Sequence, residues 1–200
     1  MKLTLFLGTI LLMLTLSTPA SITENFTQSL YIQLNPIFEN TFQQLKDLVN
    51  DLAKKISQFT RTRVTRSDPS DWFDQLFEGS GSITNQWNSE INEFFQNIPT
   101  IYENGDRSLL SNTFVASQFH PAVKSLVQKL KKLVDNKIDR VILPTIKQQS
   151  KSHTDKIFQE FQGQVTRLFE KTEERLNQTI DNLFQSISNY FNQLKDRFLG

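Results

Sequence analysis

Two histidines, His120 and His153, are the only imidazoles in the chain, and there is no cysteine. Nucleophilic catalysis needs an activated nucleophile beside a base, and a structural or catalytic metal needs several His, Cys or carboxylate ligands at close spacing. Neither constellation has its parts, and no glycine-rich phosphate loop is present. His120 precedes Pro121 at a predicted helix start, where it reads as a capping or surface residue rather than a base. His153 reads as solvated. Glu173 and Glu174 are adjacent on a charged helix face and read the same way. One basic motif has a chemical meaning: Arg61, Arg63 and Arg66 precede Ser67, and Arg-x-x-Arg is the pattern convertases cut, which makes Arg63 and Arg66 candidate processing residues. The inventory points away from an enzyme, a metal or a cofactor. Function must be sought in surfaces.

The strongest pattern lies near the C-terminus. Asp155 to Phe198 divides into four blocks of eleven, beginning at Asp155, Thr166, Asn177 and Ser188. Block positions 3, 4, 7, 8 and 11 provide twenty slots, of which fifteen are apolar. They hold Ile157, Phe158, Phe161, Val165, Leu168, Phe169, Leu176 and Ile180, then Leu183, Phe184, Ile187, Tyr190, Phe191, Leu194 and Phe198. The other slots hold no such residue. Eleven residues make three helical turns, so the repeat keeps one apolar stripe on one side of a nearly straight helix. Arg175 and Arg197 fall at the edge of the stripe, while Glu174 and Asp196 lie near the middle of the polar face. Cationic stems can thus run along apolar surface while the acids stay in water. Lys156 and Arg167 depart from this, falling on the polar centre.

Lys2, the uncharged run Leu3 to Leu16 and Thr18-Pro19-Ala20 have the layout of a secretory signal over residues 1–20. No other run approaches transmembrane length. Two sequons, Asn25-Phe26-Thr27 and Asn177-Gln178-Thr179, agree with export and make Asn25 and Asn177 candidate glycosylation sites. A secreted chain without disulfides must be stabilised by helix packing or by a partner.

Helical spacing dominates the remainder, and the predicted fold class is all-α. The expected layout is one helical domain, 21–200. Residues 24–60 form N-terminal helices, with a new helix opening at Asn35-Pro36 and carrying Ile37, Phe38, Phe42, Leu45, Leu48, Val49, Leu52, Ile56 and Phe59. A basic linker, 61–70, leads to acidic aromatic helices over 71–119. In that region Gly79-Ser80-Gly81-Ser82 reads as a flexible turn, and the helix carrying Ile83, Trp87, Ile91, Phe94 and Phe95 is expected to stop at Pro99. A basic helix follows over 121–143, and the repeat helix over 145–199. Four blocks as one helix would extend about 66 Å at 1.5 Å per residue, against a radius of gyration of roughly 16 Å for a compact domain of this size. Either the helix breaks near Gly163 or Thr172, or the bundle is elongated.

Charge is segregated. Ser67 to Asp106 carries eight acidic residues and no Lys or Arg, whereas Lys124 to Lys151 carries eight basic residues. The acidic and basic segments are expected to pack near each other, or else the basic helix rests on anionic headgroups.

The blocks, with the looser stripes at 37–59 and 123–142, resemble the exchangeable apolipoproteins, including insect apolipophorin III. The resemblance implies a secreted bundle of amphipathic helices that opens to exchange helix contacts for lipid. The chain departs from that family in being Phe-rich and amide-rich and poor in alanine. The expected partner is therefore a lipid or membrane surface bound reversibly. The alternative is a soluble secreted protein of the saliva, venom or seminal-fluid type acting on an extracellular protein, and a weaker one is a membrane-disrupting peptide precursor cut after Arg66. No nucleic acid is expected.

Overall fold

The computed structural model describes residues 19–60, 71–79, 81–103, 115–144 and 153–199. Most of the signal-like segment and all of the Arg61–Arg66 motif lie outside these residues, as do the side chains of Asn25, Phe59, His153, Tyr190, Phe191, Leu194, Arg197 and Phe198. The fold is all-α. Five α-helices are described: α1 (Pro19–Thr60), α2 (Asp71–Phe77), α3 (Ile83–Glu103), α4 (His120–Val141) and α5 (His153–Leu199). A π-helical turn, Val115–Phe119, leads directly into α4.

The chain divides into two compact units. Unit 1 comprises residues 1–37, 93–124 and 174–200, and unit 2 comprises 38–92 and 125–173. In unit 1 the core is aromatic at its centre, where Phe26, Phe119 and Phe184 meet with ring centroids 5.2 to 6.2 Å apart. Leu30, Leu34, Ile98, Val123 and Ile180 are fully buried in the same unit. In unit 2 Trp87 lies between Phe42 and Phe169, at 5.2 and 6.1 Å. Leu45, Ile56, Trp72, Leu76, Val134 and Ile142 fill out that core.

Helix α1 does not reopen at Pro36; it runs unbroken through it. An interior proline costs about 3 kcal/mol, because it lacks the N–H that would bond the carbonyl four residues back and its ring crowds that carbonyl. Here that carbonyl belongs to Ile32, and Ile32 and Pro36 are both exposed, so water can reach the lost bond. Burying Phe26, Leu30 and Leu34 ahead of the proline gives back about 1.5 to 3 kcal/mol each, which outweighs it. Pro99 likewise fails to stop α3, which continues to Glu103 with Ile98 buried and Ile101 half-buried.

The turn before α3 is pinned by side chains. Gly79 and Gly81 adopt φ of 84° and 76°, a region costly for any residue with a Cβ. A Cβ at Gly79 would meet nothing within 4 Å, so conformation rather than space requires glycine there. Thr84 Oγ1 donates to the Phe77 carbonyl at 2.6 Å, and the amides of Asn85 and Gln86 donate to the carbonyls of Gly79 and Gly81 at 3.0 and 2.9 Å. Ser82 caps α3, its hydroxyl accepting from the Asn85 N–H at 3.3 Å.

Helix α5 is continuous over 47 residues, with no break at Gly163 or Thr172. Helix α4 buries Val123, Leu126, Val127, Leu130, Val134 and Ile138 on one face. It ends at Val141, ahead of Pro144, with the Ile142 N–H still bonded to the Ile138 carbonyl at 2.8 Å.

Candidate functional site

The apolar stripe of α5 is the surface singled out by the repeat, and its burial follows the block positions. Positions 4, 7 and 11 form the buried centre through Phe158, Phe161, Val165, Phe169, Leu176, Ile180 and Leu183. Position 3 is mixed, with Leu168 buried and Ile157 half-buried. Among the described residues at position 8, Phe184 is buried, Gln162 exposed and Glu173 half-buried. Ile187 is half-buried, Gln185 and Glu174 are exposed on the opposite side, and Arg175 is exposed at the edge of the stripe. The stripe is therefore covered within each unit separately, Phe169 by Trp87 in unit 2 and Phe184 by Phe26 and Phe119 in unit 1. On α1, Phe38, Leu45, Val49, Leu52 and Ile56 are buried, while Ile37, Phe42 and Leu48 sit half-buried at the margin.

Among the described stripe residues that are buried, one is polar. Thr172, at block position 7, is buried and lies with its hydroxyl 2.8 Å from that of Thr41, also buried. Thr172 also donates to the Leu168 carbonyl at 2.8 Å. A second polar mismatch is Trp72, whose indole N–H is enclosed with no acceptor among the described residues. An unpaired buried donor costs about 1 to 3 kcal/mol. The unpaired donor weakens a core that has no disulfide to hold it, and the hydroxyl pair adds little to it.

His120 is placed by the start of α4 and reaches across to α5, where its Nε2 is 2.9 Å from Asp181 Oδ1 in unit 1. The two side chains are 31% and 51% exposed, so the pair joins helix surfaces. The sequence marked His120 as a surface or capping residue and did not reveal this partner. Acidic and basic segments do meet in unit 2, where Lys129 of α4 pairs with Glu90 of α3 at 3.2 Å. Among the described residues no group of three or more His, Cys, Asp or Glu comes together to hold a metal ion.

The sequon residue Asn177 is half-buried on α5, and its Oδ1 is enclosed without a hydrogen-bond partner among the described residues.

Two features were not legible in the sequence. Lys46 sets its ammonium over three phenylalanine rings, Phe42 at 4.9 Å and Phe73 and Phe77 each at 5.7 Å. A groove of about 350 Å³ runs between α1 and α5 in unit 2. Leu48 and Leu168 form its apolar part, Gln44 and Asp47 line the α1 side, and Gln164, Arg167 and Lys171 line the α5 side. The spacing of Arg167 and Lys171 was visible, but the α1 wall required the packed structure.

No protein-family model, no curated protein and no solved structure matches this chain. The described helices include none long and apolar enough to cross a membrane.

Proposed function

We propose that this is a secreted, non-catalytic helix-bundle protein that binds lipid or membrane surfaces reversibly, its amphipathic helices exchanging contacts with one another for contacts with lipid. The observation that carries the reading is α5: 47 unbroken residues whose eleven-residue period keeps the apolar side chains in fixed columns. A period of 3.67 residues suits a flat surface, because the stripe does not wind around the helix. The likeness to the exchangeable apolipoproteins supports the same reading. Exchange requires a small net free-energy difference between closed and lipid-bound states. The buried Thr41–Thr172 pair, the unpaired Trp72 N–H and the absence of disulfides all favour a small one.

The test is vesicle association monitored by tryptophan emission. Trp72 and Trp87 are 1% and 2% exposed in the closed chain, so opening onto lipid shifts their emission while far-UV helicity is kept. Leu183→Glu, which charges a buried stripe position, reduces association, and Gln185→Glu on the exposed side does not. A chain that unfolds cooperatively and shows no spectral response to vesicles contradicts the proposal.

A second reading, attachment to an extracellular protein, has one observation in its favour. Tyr31 and Ile32 of α1 are 44% and 49% exposed, the two large apolar side chains presented to solvent among the described residues. Loss of partner capture by Tyr31→Ser/Ile32→Ser without loss of vesicle binding would support it.

A further inference from the structure

We infer that the groove between α1 and α5 in unit 2 is a headgroup site for a zwitterionic phospholipid, with phosphate held by Arg167 and Lys171 and the ammonium held by Asp47. This rests on the lipid-surface reading and specifies which lipid chemistry the closed bundle recognises first.

Two cations stand on the α5 wall of the groove. Arg167 and Lys171 are one helical turn apart, a spacing at which like charges repel by a few tenths of a kcal/mol. Neither makes an ion pair among the described residues. The Arg167 Nε is committed to the Gly163 carbonyl at 3.2 Å, which lays the guanidinium along the helix and leaves its terminal nitrogens as donors. An anion with several oxygens placed across the pair relieves the repulsion and accepts charge-assisted bonds from both residues.

The opposite wall carries the complementary charge. Asp47 is exposed and accepts one hydrogen bond, from Gln43 Nε2 to its Oδ1 at 3.1 Å, and it is not paired with either cation. A bare phosphate would leave this carboxylate facing an added negative charge, whereas a headgroup with an ammonium two carbons beyond its phosphate uses both walls. Leu48 and Leu168 supply apolar surface for the glycerol and first methylenes. A volume of about 350 Å³ is at the lower end of small-molecule sites and suits a headgroup rather than whole acyl chains.

The experiment follows backbone amide shifts of the full chain during titration with dihexanoylphosphatidylcholine below its micellar concentration. Parallel arms use inorganic phosphate, dihexanoylphosphatidylglycerol and a hexaglutamate peptide. The expected result is saturable shifts confined to residues 44–48 and 164–171, with affinity falling about tenfold or more in Arg167→Gln/Lys171→Gln. Asp47→Asn weakens the phosphatidylcholine response and leaves or strengthens the phosphatidylglycerol one. All three positions are exposed, and unchanged far-UV spectra verify the fold of the variants. The inference is overturned if inorganic phosphate or hexaglutamate saturates the groove as tightly as the phosphatidylcholine, or if no saturable shift appears there. Vesicle flotation of the same samples separates the two claims. Flotation without a groove response ends the headgroup site alone, and a groove response without flotation ends the lipid-surface reading alone.

Discussion

Thr41 and Thr172 meet hydroxyl to hydroxyl at 2.8 Å inside the apolar contact of α1 and α5 in unit 2. Each occupies a slot where the spacing of its helix calls for a large apolar side chain, between Phe38 and Leu45 on α1 and between Phe169 and Leu176 on α5. A paired buried hydroxyl adds little net stability but penalises any register in which its partner is missing. The pair therefore fixes how α1 and α5 align without making their contact hard to undo.

Thr41→Val alone should cost about 0.5 to 1.5 kcal/mol, because it removes the hydrogen bond that Thr41 donates to Thr172, whose own O–H is committed to the Leu168 carbonyl. Thr41→Val/Thr172→Val should return to wild-type stability or exceed it. Chemical denaturation measures both, and the more stable double variant should associate with vesicles more slowly.

The aromatic core should be far less tolerant than any ionisable group. Phe169→Ala in unit 2 and Phe184→Ala in unit 1, both 2% exposed, should each lose about 3 to 5 kcal/mol in the same assay. His120→Ala removes only a part-exposed pair with Asp181 and should cost less than about 1 kcal/mol. His153→Ala should be silent in stability and in lipid association, and an essential role for either histidine would overturn the non-catalytic reading.

Trp72 offers an unusual substitution. Trp72→Phe removes an N–H that finds no acceptor among the described residues, and this gain offsets part of the lost ring contact. Its change in stability should stay within about 1 kcal/mol, against about 3 to 5 kcal/mol for Trp72→Ala.

Export makes its own prediction. Mass spectrometry of secreted chain should find Ser21 at the N-terminus and a glycan on Asn25 at higher occupancy than on Asn177, whose Oδ1 is enclosed against its neighbours. Chain retained in the cytosol with residues 1–20 intact would contradict the secretory reading.

The α5 stripe was legible because an eleven-residue period is local and needs no knowledge of neighbouring helices; Phe158, Phe161, Val165 and Phe169 are buried as their columns predict. Pro36 and Pro99 were misread as boundaries for the same reason, since local rules register the lost hydrogen bond but not the burial on both sides that outweighs it. The Asp47–Arg167–Lys171 groove joins residues more than a hundred positions apart, and no periodicity within α1 or α5 reports which polar flank of one will face the other. Nor does the sequence indicate that His120 lands against Asp181, because that depends on the depth at which α4 enters unit 1.

The claim that lipid binding requires the helices to part is tested by locking α1 to α5 at the threonine pair. The chain has no cysteine, so Thr41→Cys/Thr172→Cys introduces one defined disulfide where the two hydroxyls are now 2.8 Å apart. Flotation with phosphatidylcholine vesicles is then compared for the oxidised and reduced forms of the same sample. The oxidised form is expected to stay with the soluble fraction, and reduction to restore flotation to the wild-type level. Equal flotation of oxidised and reduced chain would contradict the claim, because lipid would then be bound without separating α1 from α5.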